Sequence, residues 1–187
     1  EALHIRGRHN SMNALAALAL IYAARLSLSD ALRALAEYKG EPHRVEYVMT
    51  VNGVDYIDDS KGTNVGATVA ALEGLGANGT KLVVILGGDG KGQDFSPIAQ
   101  SMSRHARAAV LIGRDAPLIE KALSGASFPI VHAEDMPQAV LKASQLAKPH
   151  DAVLLSPACA SWDMFKDYAE RSAIFIASAK ALAGNAK

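Results

Sequence analysis

The sequence predicts an α/β fold, a Rossmann-like and mostly parallel sheet of about six strands flanked by helices, with a hairpin at one edge. Three observations lead there. Short apolar runs at 82–86, 108–112, 130–132 and 152–155 are separated by stretches of helical period. Strands joined in that way need right-handed crossovers and run parallel. Asn52-Gly53 lies between two alternating runs, 45–51 and 54–57, which is the strongest short hairpin signal. Finally, Leu82, Val83, Val84, Ile85 and Leu86 lead directly into Gly87-Gly88-Asp89-Gly90-Lys91-Gly92, so a strand buried on both faces opens into a flexible loop.

Taken in order, residues 2–5 read as a short strand. From Asn10 the period becomes helical, with Asn10 or Ser11 as the cap and Met12, Leu15, Ala16, Leu18, Ala19 and Tyr22 on one face. A second helix follows with Ser29 as its cap, runs through Leu32, Leu35 and Ala36, and closes near Gly40 and Pro42. Two helices without a sheet make a poor domain, and the chain opens on Glu1, so a fragment of a longer protein is expected. Pro42-His43-Arg44 reads as a hinge. Beyond it, helices are expected over 64–75, 96–104, 117–123 and 137–147, with helical segments from about 161 to 182.

Composition narrows the function. Half of the 187 residues are hydrophobic, enough for the core of one α/β domain plus a small appendage. Nineteen Lys and Arg balance nineteen Asp and Glu, with no basic block, which argues against nucleic acid and for small-molecule ligands. The single cysteine, Cys159, excludes an internal disulfide framework and fits a reducing compartment. No apolar run is long enough to cross a bilayer and no signal peptide opens the chain, so the expectation is a cytoplasmic protein without a membrane partner.

In open parallel sheets, ligands bind beyond the carboxyl ends of the strands. The residues that follow the strands are therefore the candidates. Lys61, Lys91 and Ser156 each follow a buried run at once and sit among small residues, where a ligand can approach the backbone. Asp59 can accept hydrogen bonds from a ribose, and Lys61 two residues on can neutralise phosphate. Asn64 caps the next helix and leaves N–H groups for an anion, with the Thr63 hydroxyl beside them. Arg44, at the hinge, can reach across a cleft to a phosphate. Arg114 and Asp115 read as ordinary loop polarity. Cys159 reads as a small buried hydrophobe rather than a nucleophile, because no histidine lies near it in sequence, although His132 or His150 could approach in space. The six histidines lack metal-ligand spacing, so no metal site is expected. Trp162 and Phe165 either wall a pocket or, for Phe165, join the core. The glycine loop matches neither GxxxxGK[ST] nor GxGxxG, and alone it is equally a tight turn with an exposed lysine.

The motifs HNSMNALAA, HRVE, DDSKGTN, LGGDGKGQDF and SPACASWDMF, in that order, resemble the later part of the Mur ligases, ATP-dependent amide ligases of bacterial peptidoglycan synthesis. The resemblance covers essentially the whole chain. Within the family, the last motif is similar to the signature of the member that adds D-glutamate to UDP-N-acetylmuramoyl-L-alanine. The resemblance implies that residues 1–42 are the tail of a central ATP-binding domain and 43–187 a C-terminal, amino-acid-binding domain. It implies ATP and Mg2+ as cofactors, with the magnesium ligands upstream, and a monomeric full-length enzyme. It also implies roles: Asn13 as an adenine contact, Arg44 as a nucleotide-phosphate contact and Asp59 as a ribose ligand. Lys61 and Thr63 become hinge-side and D-glutamate contacts, and Lys91, Ser156 and Phe165 hold D-glutamate, with Lys61 and Lys91 as the catalytic candidates. Two residues depart from the family pattern, Asp58 where asparagine is usual and Ser172 where glycine commonly follows the arginine. No GK[ST] loop occurs, so this chain alone is expected to be inactive. The alternatives are a non-catalytic dinucleotide-binding module and a related amide ligase such as a folylpolyglutamate synthetase.

Overall fold

A computed structural model describes residues 3–5 and 7–184. Its elements are α1 (Arg8–Ala23), α2 (Leu28–Glu37), β1 (Glu46–Val51), β2 (Val54–Asp58), α3 (Val65–Gly76), β3 (Leu82–Gly87), α4 (Ser96–His105), β4 (Ala106–Ile112), α5 (Ala116–Ala122), β5 (Ile130–His132), α6 (Met136–Leu146), β6 (Ala152–Leu155) and α7 (Tyr168–Gly184). The six strands form one sheet in the order β1-β2-β6-β3-β4-β5. Every neighbouring pair is parallel except the β1–β2 hairpin at the edge. Asn52 and Gly53, at φ 51 and 77, supply the two left-handed residues that a tight two-residue hairpin turn requires.

Strand alternation builds the two halves of the core. Leu82, Val84 and Leu86 of β3 pack with Leu72 of α3, Ile98 and Met102 of α4 and Ile119 of α5. Val83 and Ile85, on the opposite face, meet Met136 and Val140 of α6 and Phe175 of α7. The result is three layers, helix, sheet and helix, as the run of buried strands implies. No helix among the described residues is long and apolar enough to cross a membrane.

Four local expectations need correction. The strand over 2–5 is not found: Leu3, His4 and Ile5 lie outside any strand, and Ala2 lies outside the described residues. Helix α1 starts at Arg8 after Gly7, whose φ of 92 breaks the helix without a side-chain cap. The apolar face of α1, read from the sequence as needing a partner, has Met12, Leu15 and Tyr22 at 56%, 59% and 71% exposure, while Ala14 is buried. Helix α2 is capped by Ser27, which accepts from the Asp30 N–H, two residues before the expected cap. Helix α7 begins at Tyr168 because Asp167 Oδ1 accepts from the N–H groups of Ala169 and Glu170, which leaves 161–167 as a loop.

Candidate functional site

The strand order sets the carboxyl ends of β2, β6 and β3 side by side. Three loops leave this edge, 58–64, 156–167 and 87–95, and backbone hydrogen bonds tie them together. Asp59 N–H donates to the Leu155 carbonyl, Ala158 N–H to Gly62, and Gly87 N–H to Pro157, all at 2.8–2.9 Å. Asp89 and Ala160 exchange two hydrogen bonds as an isolated bridge. Gly88 allows that approach, since a Cβ there would stand 2.2 Å from the Ala160 carbonyl oxygen.

Asp59 and Ser156 lie at the centre of this edge and bind one another. Ser156 Oγ donates to Asp59 Oδ2 at 2.7 Å, and Val45 N–H donates to Asp59 Oδ1 at 3.3 Å. Burial pushes the Asp59 carboxyl up to about 6, against the opposing pull of these two hydrogen bonds, and the neighbouring Asp58 adds to the rise. Ser156 is fully buried, and its carbonyl accepts from Thr68 Oγ1 at 3.2 Å. Lys61 is half-buried, with Nζ 5.4 Å from the centre of the Tyr168 ring and its backbone N–H bonded to the His43 carbonyl. Thr63 is half-buried beside it, and Asn64 caps α3 by accepting from the Ala67 N–H.

Lys91 stands exposed at the tip of the glycine loop at φ 53, its N–H bonded to Asp89 Oδ1. Arg114 and Asp115 prove to be more than solvated loop residues. Arg114 pairs with Asp89 at 2.6 Å and Asp115 Oδ2 accepts from the Gly90 N–H at 2.7 Å, so both anchor the loop that carries Lys91. Phe165 is partly buried against the α6–α7 half of the core, and Trp162 is exposed. Asn13 and Arg44 line a separate hollow of about 210 Å³ between α1, α2 and the hinge, together with Asn10, Tyr38 and Glu41. The fold thus joins Asp59 to Ser156, keeps Lys61 and Thr63 on the loop that carries Asp59, sets Lys91 on an adjoining loop, and groups Asn13 with Arg44 in the hollow, from which the Arg44 charge acts on Asp59.

Several contacts left no sequence signal. Tyr168, Arg171 and Ser172 belong to a stretch that reads as helix, with Ser172 noted only as a departure from the family pattern, yet all three contact the 58–61 loop. At the hinge, His43 and Val45 adopt left-handed φ values of 65 and 49, an uncommon conformation for a β-branched residue. His43, Glu46 and Asp58 offer ligand atoms within 4.8 Å of one another, a grouping invisible in histidine spacing, and here they are joined by hydrogen bonds. Cys159 is fully buried, and burial first, then Asp115, pushes its thiol up to about 12, too high for a thiolate nucleophile. His132 is bonded to Glu120 instead.

Comparison with known proteins agrees with this geometry. The family described as "Mur ligase, glutamate ligase domain" matches residues 43–159. A protein of Polaromonas sp. (strain JS666 / ATCC BAA-500), named UDP-N-acetylmuramoylalanine--D-glutamate ligase, is 60% identical over 183 residues, which are 98% of this chain and 31% of that protein. The chain therefore spans about a third of the length of that relative. Among solved structures, UDP-N-acetylmuramate-alanine ligase from Thermotoga maritima shares the fold with a TM-score of 0.68 at 20% identity, over 96% of this chain and 39% of that one. A folylpolyglutamate synthase from Mycobacterium tuberculosis does so with a TM-score of 0.66 at 21% identity, over 97% and 41%. With a parallel sheet, a strand-end cluster and a family match over most of its length, the chain belongs to the Mur ligases, and residues 43–159 correspond to their glutamate ligase domain.

Proposed function

We propose that the chain is the amino-acid-side portion of an ATP-dependent, cytoplasmic amide ligase that joins D-glutamate to UDP-N-acetylmuramoyl-L-alanine. The 60% identity to a relative bearing that name carries the reading, and the strand-end cluster supports it. Fold likeness cannot choose the substrate, because a folylpolyglutamate synthase shares the architecture equally well. In the proposed reaction the terminal carboxylate of the nucleotide substrate takes the γ-phosphoryl group of ATP and releases ADP. The D-glutamate amine then attacks the acyl phosphate, and the tetrahedral intermediate expels phosphate and a proton to leave the amide.

The residues here would bind and orient. A dicarboxylate needs cations and donors at fixed positions, for which Lys91 on its mobile stem, Lys61 and the Thr63 hydroxyl are suited. Ser156 and Phe165 would take part from beneath, since one is fully buried and the other partly so. The hollow lined by the Asn13 amide and the Arg44 guanidinium has donors suited to an adenine edge and a phosphate, and Asp59 would accept from a ribose. Magnesium would neutralise phosphate charge when bound, on ligands in the family's upstream part.

The test is D-glutamate-dependent ADP formation by a full-length protein carrying this chain. Lys91→Met should lower kcat/KM by about tenfold or more through loss of a charged contact, with little change in thermal stability because Lys91 is exposed. Equal use of L-glutamate would favour the folylpolyglutamate-type reading, and tight NADH binding the dinucleotide-binding one. ADP formation by the 187-residue chain alone would contradict its expected inactivity.

A further inference from the structure

Arg171, in the first turn of α7, is the largest fully buried side chain among the described residues. Its guanidinium donates from Nε to Ser60 Oγ at 3.0 Å, from Nη2 to the Ser60 carbonyl at 2.7 Å, and from Nη1 to the Cys159 carbonyl at 3.1 Å. Among the described residues no carboxylate forms an ion pair with it. Burial pushes the guanidinium down to about 10. A leucine or methionine would fill the space without desolvating a charge, so packing does not account for the residue. The directions of its donors do, because a planar fork fixes both distance and angle between the groups it joins.

Those groups lie on two of the site loops. Ser60 stands between Asp59 and Lys61, and its hydroxyl, having accepted from Nε, donates onward to the Tyr168 carbonyl at 2.7 Å. Cys159 directly precedes Ala160, which carries the bridge to Asp89 in the Lys91 loop. One side chain thus holds two loops directly and the third through the next residue.

We propose that Arg171 is a positioning residue that sets the spacing of the loops bearing Asp59, Lys61 and Lys91, and so governs capture of a dicarboxylic ligand without touching it. The ligand class rests on the ligase reading above; the clamp itself does not. The experiment compares Arg171→Lys, Arg171→Met and Arg171→Gly in a full-length protein carrying this chain. Amide hydrogen exchange comes first and needs no ligand. The amides of Gly62, Ala158 and Ala160, bonded within or between these loops, and that of Lys61, bonded to the His43 carbonyl at the hinge, should exchange about tenfold faster or more in the Lys and Met variants, while those of β3 and β4 keep their protection. D-glutamate-dependent turnover comes second. The Lys variant should raise the KM for D-glutamate about tenfold, and methylguanidinium should restore part of the activity of the Gly variant, as it would not in a misfolded protein.

Unchanged exchange at those four amides in a folded Lys or Met variant overturns the proposal. So does a wild-type KM in an Arg171→Lys protein whose loops exchange faster. If the unmodified protein shows no turnover with D-glutamate, the ligase reading falls, and the exchange comparison still decides whether Arg171 clamps the loops. Should the Met variant fail to fold, the Lys variant decides by the same measurements.

Discussion

The hydroxyl of Ser172 donates to the carboxylate of Asp58 at 2.6 Å, although 114 positions separate them in the chain. These are the two residues that the resemblance marks as departures from the family pattern, and they are in direct contact. Asp58 is fully buried, and its oxygens also meet His43 Nδ1 and the Ser60 N–H, each at 2.9 Å. A buried carboxylate needs such donors, and Ser172 supplies one that a glycine would lack.

The pair should therefore be energetically coupled. Ser172→Gly, which strips a donor from Asp58, is expected to cost about 1–3 kcal/mol, and Asp58→Asn should cost less in that background than alone. Urea denaturation of both single variants and the double variant measures the difference. Additivity within about 0.3 kcal/mol would show that the contact carries no coupling.

Asp59 should titrate with a pKa near 6 rather than 3.8. Because the folded state holds this proton more tightly than the unfolded chain, Asp59's contribution to stability is fully present below about 4 and is lost as pH rises to about 6. The loss is on the order of 3 kcal/mol. Ser156→Ala removes a hydrogen bond that favours the ionised form, so the pKa should climb further and the window should extend to higher pH. Carbon NMR of the Asp59 carboxyl across this range checks both statements, and a lower pKa in Ser156→Ala would refute the second.

Two glycines of one loop should respond very differently to alanine. Gly87 has φ +124, and a Cβ there would stand 1.9 Å from the Ile112 carbonyl oxygen, which is held in the sheet. Gly92 has φ +73 with nothing within 4 Å of its Cβ position. Gly87→Ala is expected to cost about 3 kcal/mol or more, from backbone displacement as well as conformation, and Gly92→Ala about 1 kcal/mol. Denaturation midpoints compare them, and similar losses would mean that β3 and β4 can separate at this end.

Much of the fold was legible because its signals are local. The alternation around Asn52-Gly53 and the apolar run entering Gly87 depend only on near neighbours, so the hairpin and the buried central strand follow from them. The loop over 161–167 was not legible, since its apolar content suits a helix and only Asp167 decides where α7 begins. For α1 the sequence called for a partner over its apolar face, but did not say which element would supply it. Periodicity says which residues share a face, not whether another element covers it.

For the site, residue identity by itself determined which side chains follow strand ends, and hence that Asp59, Lys61, Lys91 and Ser156 share one edge. Only the tertiary structure decided how they are deployed. It buried Ser156 against Asp59, set Tyr168 beside Lys61, and placed Arg171 beneath the loops. The physical reason is that a buried polar group bonds whatever the strand order brings beside it, and here the crossovers put β6 between β2 and β3, next to segments a hundred positions away along the chain.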